Sequence, residues 1–233
     1  MSIDDTQYTV GHVQTPVHGR YLIHQPDSLW AAEINAGESP PLVVGFHGYK
    51  ESAEHQLNRL KKLPSASRYL CCSVQALHPF YTSAGGIVSS WMTRLDRNFA
   101  IRNNMEYVRR VVGAVRREHS VGGGLAFMGF SQGACMAYRA AWAMLEDCSA
   151  IVAVAGDLPD EFSTRPTDNH PPVLICRGSA DKYYSAENLE KDRKALESRG
   201  VVVEVCEFNG GHEWTPELYE AVDAFVFKHA ITT

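Results

Sequence analysis

A serine between two glycines is the part of this sequence best suited to chemistry. The segment reads Gly129-Phe130-Ser131-Gln132-Gly133. The apolar run 125–128 before it predicts a short buried strand, and the small-residue run 134–141 after it predicts a helix packed closely on a sheet. A serine on such a turn has a strained backbone and an exposed hydroxyl, and the glycines avoid collisions between strand and helix. The pattern predicts that Ser131 is a nucleophile.

A serine hydroxyl is a weak nucleophile, so it needs a base, and the base needs an acid to orient it. In a strand–turn–helix arrangement of this kind, the acid and then the histidine follow the serine along the chain. Asp181 comes just after a predicted strand at 173–177, and His212 just after another at 201–207. Because open α/β sheets place their sites at the carboxyl ends of strands, we predict a catalytic triad of Ser131, Asp181 and His212.

Other residues compete for these roles. Asp157 and Asp160 are rival acids, but they follow the strand one earlier, at 150–155. His47 is a rival base, but it precedes the serine, and we expect it to hold its loop by hydrogen bonds. Two simpler interpretations stay open, in which Asp181 caps the following helix and His212 is an ordinary loop histidine.

Acyl transfer also needs donors for the oxyanion of the tetrahedral intermediate. The N–H of Gln132 lies at the predicted helix N-terminus, where backbone donors are free. A second donor is expected from the loop after the strand 42–46, which reads His47-Gly48-Tyr49-Lys50. Gly48 allows a sharp turn there, and we predict that the N–H of Tyr49 completes an oxyanion hole with that of Gln132.

Side chains near these strand ends are candidates for a substrate pocket. Some lie in a long loop over 77–91, and others follow later strands. The alternative for each is that it shields the core or packs without touching a substrate. The candidates are Phe80, Tyr81, Trp91, Leu158 and Tyr183.

The elements that must position these residues alternate along the chain. Two β-like runs at 19–23 and 30–34 come first, and strand and helix patterns alternate from residue 42 onward. A long loop is predicted over 77–90 and an amphipathic helix over 98–119. This order predicts an α/β fold with a mostly parallel, doubly wound sheet, helices on both faces and no separate lid domain. We expect a polar, partly disordered segment at 1–18 and a single domain over 19–233.

Composition narrows the class of protein. The chain has 233 residues, of which 45% are hydrophobic, and this is enough for one sizeable core. The net charge of −5 and the absence of long Lys/Arg clusters argue against nucleic acid and anionic membranes as partners. No apolar run typical of a signal peptide or a membrane span is present, and the six cysteines contain no CxxC pair. We expect reduced thiols and a cytoplasmic protein without stable membrane insertion; one or two disulfides and a homodimer stay open.

Gly-Phe-Ser-Gln-Gly, His-Gly after the third predicted strand, an Asp shortly after Arg-Gly, and Gly-Gly-His together resemble the phospholipase/carboxylesterase family of α/β-hydrolases. That family includes acyl-protein thioesterases and small bacterial carboxylesterases. The resemblance spans about 41–233 and implies an α/β-hydrolase fold, a triad of Ser131, Asp181 and His212, and oxyanion donors at Tyr49 and Gln132. The chain differs in having Ala134 where a further glycine is usual, and Tyr49-Lys50-Glu51 where Leu-Gly-Asp is usual.

These observations predict a serine hydrolase that cleaves small carboxylic esters through an acyl-enzyme, a carboxylesterase or lysophospholipase-like enzyme. No metal or organic cofactor is needed for this chemistry. One alternative is a thioesterase or another acyl hydrolase on the same triad. Another, from a different class of protein, is an inactive α/β-hydrolase that serves as a binding module.

Overall fold

The computed structural model describes residues 8–25, 39–122, 124–164 and 170–231. These residues form nine strands and five α-helices. The strands are β1 (Tyr21–His24), β2 (Leu42–Phe46), β3 (Leu70–Val74), β4 (His78–Tyr81), β5 (Ile87–Ser90), β6 (Leu125–Phe130), β7 (Cys148–Val154), β8 (Val173–Gly178) and β9 (Val203–Phe208). The α-helices are α1 (Ala53–Leu60), α2 (Arg97–Glu118), α3 (Gln132–Ala143), α4 (Ala186–Glu197) and α5 (Pro216–Ala230).

Seven strands form one sheet in the order β1-β3-β2-β6-β7-β8-β9. Only β1 runs antiparallel to its neighbour, β3; the remaining pairs are parallel. The parallel strands therefore end at one edge, and β6, β8 and β9 bring their following loops to that edge. This topology confirms the predicted mostly parallel α/β sheet.

The central strands are apolar along their whole length because both faces of the sheet are covered. Every residue of β2, β3, β6 and β8 is buried. One core cluster packs α2, α3 and α4 on one face, and the other packs α1 and α5 on the opposite face. Each fully buried large apolar side chain contributes about 1.5–3 kcal/mol, so the edge that carries the loops is held by a rigid core.

The segment predicted as a loop over 77–90 contains an antiparallel hairpin of β4 and β5. The pattern misses it because Pro79 interrupts β4, and most of the hairpin is not buried. The hairpin contacts the loop after β2 through Ser89, whose N–H donates to Glu51 O at 2.8 Å. It therefore braces a loop close to the predicted nucleophile.

The two predicted N-terminal strands and the state of the cysteines can also be compared with the structure. The predicted strand at 30–34 lies outside the described residues, whereas the one at 19–23 corresponds to β1, which pairs with β3. All six cysteines carry free thiols. Among the helices of the described residues, none combines the length and the apolar character needed to cross a membrane.

Candidate active site

Ser131 lies on the turn between β6 and α3 with a strained backbone. Its φ is +54° and its ψ is −121°, a conformation that side-chain-bearing residues rarely adopt. The turn is held by the N–H of Ser131, which donates to Val154 O at 2.8 Å, and by Ser131 O, which accepts from the N–H of Ala134 at 2.9 Å. These two hydrogen bonds hold Ser131 at the point where β6 ends and α3 begins.

The two flanking glycines are required by close backbone contacts. A Cβ on Gly129 would lie 2.0 Å from Gly133 O, and a Cβ on Gly133 would lie 2.2 Å from Phe46 O. Backbone atoms cannot move away from such a contact without disturbing the sheet, so any side chain at either position would displace the turn.

Asp181 and His212 lie in neighbouring loops that stay paired beyond their strands. The N–H of Ser179 donates to Phe208 O and the N–H of Ala180 donates to Gly210 O, both at 2.8 Å. This pairing extends the β8–β9 ladder and sets the two loops side by side. His212 Nδ1 then lies 2.8 Å from Asp181 Oδ2, and because a carboxylate only accepts, Nδ1 is the donor.

The Asp181 carboxylate is buried and held in its charged form. Burial acts to raise its pKa, but the N–H groups of Tyr184 and Tyr183, at 3.0 and 2.8 Å from Oδ1, and the His212 imidazole outweigh burial and lower the pKa. Asp181 thus orients the imidazole through Oδ2 while Oδ1 is fixed by the backbone. Asp157 and Asp160 do not pair with His212 in this arrangement.

The His212 ring is also positioned by two aromatic neighbours. The ring centre of Phe130 lies 4.8 Å away and that of Tyr183 lies 5.0 Å away, the second with an edge-on geometry. Because Phe130 immediately precedes Ser131, the imidazole packs against the end of the strand that carries the serine.

The loop after β2 approaches Ser131 closely. A Cβ on Gly48 would lie 3.4 Å from the Cβ of Ser131. The N–H of Gly48 donates to Glu51 Oε2 at 2.8 Å and that of Lys50 donates to Ser89 O at 3.2 Å. The N–H of Tyr49 makes no hydrogen bond within the described residues. The loop is therefore fixed on both sides of a free backbone donor.

His47 is fully buried and fixes the same loop. Its Nδ1 donates to Gly48 O at 2.7 Å, and its Nε2 accepts from the N–H of Ala76 at 3.1 Å. Burial lowers the pKa of its imidazole, which favours the neutral ring. These contacts use both ring nitrogens and agree with the prediction that His47 holds the loop.

Gln132 begins α3, so its N–H lies in the first helical turn, where no carbonyl of the same helix accepts. Its side chain is engaged elsewhere. Oε1 accepts from the N–H of Trp91 and Nε2 donates to Met92 O, both at 2.9 Å. The side chain thus anchors the segment after β5 and leaves the backbone N–H available.

Ser131 and His212 line one cavity of about 330 Å³. Of the predicted pocket residues, Leu158 and Tyr183 line it as well. Its wall is otherwise formed by the loops after β7 and β8 and by parts of α2, α3 and α4. The remaining residues are Arg97, Gln132, Cys135, Ala155, Gly156, Asp157, Pro159, Asp160, Tyr184, Asn188, Lys191 and Asp192.

The other predicted pocket residues lie elsewhere. Trp91 is fully buried and its indole N–H donates to His47 O at 2.8 Å, so it packs beneath the loop and does not line the cavity. Phe80 stacks on Tyr49 at 5.7 Å on the hairpin side, and Tyr81 is 75% exposed. Neither Phe80 nor Tyr81 is among the residues that line the cavity shared by Ser131 and His212.

An ion pair that the sequence did not predict supports the site. Arg59 of α1 binds both carboxylate oxygens of Glu51 at 2.5 and 2.6 Å. Glu51 comes four residues after His47. In the sequence it has the pattern of a loop residue or a helix cap, and nothing there indicates its pairing with Arg59. Arg97 and Lys191 of the cavity wall were also missed, because exposed cations on helices usually belong to the solvated surface.

In the part of the chain that the structure describes, no group of three or more His, Cys, Asp and Glu side chains is arranged to hold a metal ion. The cavity beside Ser131 is lined by His212, whose imidazole is held by Asp181, and by Gln132 at the start of α3.

Comparisons with known proteins point to one protein family. The sequence profile of the Phospholipase/Carboxylesterase family matches residues 31–230. No curated protein matches the chain at a significant level.

Solved structures with a similar fold include esterase PE8, at 20% identity with a TM-score of 0.70, covering 91% of this chain and 100% of that one. Zea mays acyl-protein thioesterase 2 is 18% identical with a TM-score of 0.67, and the match covers 91% of this chain and 99% of that one. A phospholipase/carboxylesterase from Dyadobacter fermentans is 18% identical with a TM-score of 0.67, and the match covers 93% of this chain and 100% of that one. At these identities the likeness shows the fold, and the profile match over most of the chain shows the family: the protein belongs to the phospholipase/carboxylesterase family of α/β-hydrolases.

Proposed function

We propose that the protein is a serine hydrolase that cleaves carboxylic esters through a Ser131–His212–Asp181 triad and an acyl-enzyme. The observation that carries this proposal is the 2.8 Å contact between His212 Nδ1 and Asp181 Oδ2, beside a serine on a strained turn that lines the same cavity. The family match supports a carboxylesterase or a lysophospholipase-like enzyme.

The proton transfers follow from the tautomer of His212. Because Nδ1 donates to Asp181, Nε2 carries the lone pair that takes the proton of Ser131 as its oxygen attacks the ester carbonyl. The ionised Asp181 then stabilises the imidazolium. His212 protonates the leaving alcohol, and a water molecule repeats the sequence on the acyl-enzyme.

The oxyanion of each tetrahedral intermediate is received by the backbone N–H groups of Tyr49 and Gln132. Neither donor has a hydrogen-bond partner among the residues that the structure describes, both belong to segments fixed by other hydrogen bonds, and the Tyr49 loop adjoins Ser131. Fixed donors need no reorganisation during the reaction, and each such donor is typically worth ~3 kcal/mol of transition-state stabilisation.

The same triad supports thioester hydrolysis, in which a thiol leaves in place of an alcohol. A structural neighbour is an acyl-protein thioesterase, so this is the second candidate within the enzymes. A binding module without catalysis is the candidate from another class, and the intact triad and flanking glycines argue against it.

Kinetics with p-nitrophenyl acetate test the proposal. The variant Ser131→Ala should lose roughly four to six orders of magnitude in turnover while its circular dichroism and melting temperature stay those of the wild type. Acyl-CoA and lysophospholipid assayed alongside separate the thioesterase and lysophospholipase alternatives. A variant that keeps most of its activity would exclude Ser131 as the nucleophile.

A further inference from the structure

We infer that the part of the substrate that enters the cavity beside Ser131 is short and carries hydrogen-bonding atoms, so that a long alkyl chain is not the preferred acyl group. This inference rests on the proposed role of Ser131 and adds the class of ester to it. It is drawn from the side chains that line the cavity and from their unused hydrogen-bonding capacity.

The wall of the cavity is mainly polar away from the serine. Ala155, Leu158 and Pro159 are the aliphatic side chains that the loop after β7 contributes to it. Tyr183 and Tyr184 line it as well, and six further positions on three separate elements carry charged or amide groups. These residues are Arg97, Asp157, Asp160, Asn188, Lys191 and Asp192.

Hydrogen bonds fix this wall in place. Asn188 Nδ2 donates to Asp157 Oδ1 at 3.2 Å and joins α4 to the loop after β7. The buried carboxylate of Asp192 accepts from the N–H of Leu158 at 2.9 Å and from the Tyr184 hydroxyl at 3.0 Å. Because these polar side chains are fixed by hydrogen bonds between the elements of the wall, rotating one of them would not make the cavity apolar.

Two lining cations have hydrogen-bonding capacity to spare. No hydrogen bond or close ion pair joins either cation to the residues that the structure describes, although Arg97 interacts electrostatically with Glu161 and Lys191 with Asp192. An ether, hydroxyl or carboxylate oxygen on the substrate can accept from them. An alkyl chain has no atom that can accept from them, and wherever it covers these exposed groups it displaces water without replacing the lost hydrogen bonds.

The volume of the cavity points in the same direction. At about 330 Å³ it lies at the small end of the range for ligand sites, roughly 300–1,000 Å³. A long chain would have to extend past the wall, toward exposed residues such as Tyr183, where little apolar surface is buried around it.

The test compares esters that differ in one atom. The p-nitrophenyl esters of methoxyacetic and butyric acid have acyl groups with equal numbers of heavy atoms, and only the first has an ether oxygen. Each kcat/KM is divided by the rate of alkaline hydrolysis of the same ester, which removes the difference in intrinsic reactivity. We expect the corrected ratio to favour methoxyacetate by roughly fivefold to tenfold, and we expect octanoate and palmitate to fall at least roughly tenfold below butyrate.

Matched variants test whether the lining cations cause the preference for methoxyacetate over butyrate. Arg97→Leu, Lys191→Leu and the double variant should bring the corrected ratio toward unity, because kcat/KM should fall more for methoxyacetate than for butyrate. Lys194→Leu is the control, because Lys194 lies on the same helix as Lys191 but pairs with Glu190 at 3.2 Å and does not line the cavity. We expect it to keep the wild-type ratio, and melting curves for all variants separate loss of fold from loss of preference.

Two outcomes would overturn the inference while leaving the proposed function intact. The first is kcat/KM that rises from butyrate to octanoate or palmitate in the wild type. The second is a methoxyacetate preference that the double variant retains in full. Failure to hydrolyse any ester, including acetate, would instead contradict the proposed function itself.

Discussion

The guanidinium carbon of Arg59 lies 4.3 Å from the centre of the Phe130 ring. Phe130 also packs against the imidazole of His212, with 4.8 Å between the ring centres. Arg59 also binds Glu51, which accepts the N–H of Gly48. One ion pair therefore contacts both the ring that packs on His212 and the loop that presents Tyr49.

Arg59→Met should lower kcat more than it changes KM. The variant removes the cation over Phe130 and leaves the Glu51 carboxylate without its partner, so both the imidazole and the Tyr49 loop lose support. A small misplacement of reacting groups can cost about 100-fold in rate, and we expect a loss of roughly tenfold to 100-fold in kcat. Steady-state kinetics on p-nitrophenyl acetate measure it.

Arg59→Lys and Arg193→Met are the controls for this prediction. Lysine keeps the charge but not the planar, two-pronged guanidinium, so it should recover part of the rate. Arg193 pairs with Glu190 and Glu197 on the surface of α4, away from the site, and its loss should leave kcat unchanged. Equal rates in wild type and Arg59→Met would show that the pair has no positioning role.

The same pair should make stability depend on pH in the acid range. Burial acts to raise the pKa of Glu51, but the hydrogen bonds and charge of Arg59 and the Gly48 N–H outweigh it and hold the pKa below its ordinary value of 4.5. A carboxyl whose folded pKa is depressed stabilises the fold above its unfolded pKa, and this contribution is lost as pH falls through the folded value.

Melting temperatures of the wild type and Glu51→Gln from pH 7 to pH 3 check this dependence. The wild type should be the more stable at pH 7, and the gap should narrow below pH 4.5 as the wild-type carboxyl takes up a proton. A gap that is constant over the whole range would contradict a charged Glu51 in the folded protein.

Asp181→Asn should abolish most turnover with little change in structure. An asparagine side chain can present its NH₂ to the imidazole, which then favours the tautomer with the proton on Nε2, and this tautomer cannot accept the proton of Ser131. The loss expected in kcat is about 10⁴-fold near neutral pH. The rate of p-nitrophenyl acetate hydrolysis gives the number, and activity within tenfold of the wild type would assign the orienting role to another residue.

Gly133→Ala should destabilise the fold and disrupt the turn that carries Ser131. The new Cβ would lie 2.2 Å from Phe46 O, a contact with backbone of the adjacent strand. We expect a loss of more than about 3 kcal/mol in the free energy of unfolding, since steric overlap in a packed core is among the largest single-residue effects.

Gly113→Ala is the matched control in α2. The nearest atom to a Cβ there is Arg117 Nη1 at 3.4 Å, the end of a flexible side chain. Alanine in a helix interior is favoured over glycine by about 0.5–1 kcal/mol, so this variant should be neutral or more stable. Urea unfolding measures both, and equal stability of the two variants would contradict the steric explanation.

The main features of the fold were predictable because they depend on local pattern. The continuous apolar run of β6 and the small residues of α3 lie on either side of Ser131 in the sequence. The order of the strands places Asp181 and His212 at the same edge of the sheet. The β4–β5 hairpin was not predictable in this way, because its strands are short, one contains Pro79, and β4 is largely exposed.

The parts of the site that depend on distant packing were hidden in the sequence. Arg59 lies in an ordinary amphipathic helix, and its role follows only from the contact with Phe130, which is 71 positions along the chain. Trp91 looks like a pocket residue until its indole is found bound to His47 O beneath the loop. The sequence shows which residues are apolar, but tertiary contacts determine whether an apolar side chain faces the cavity or the core.

Intact-mass analysis after treatment with a fluorophosphonate tests the activated serine most directly. The wild type should gain the mass of one phosphonyl group, located on Ser131 by peptide mapping, and His212→Ala should react far more slowly under the same conditions. A wild-type protein that stays unmodified at Ser131, or one whose Ser131 reacts equally fast without the His212 imidazole, would contradict nucleophilic catalysis by this triad.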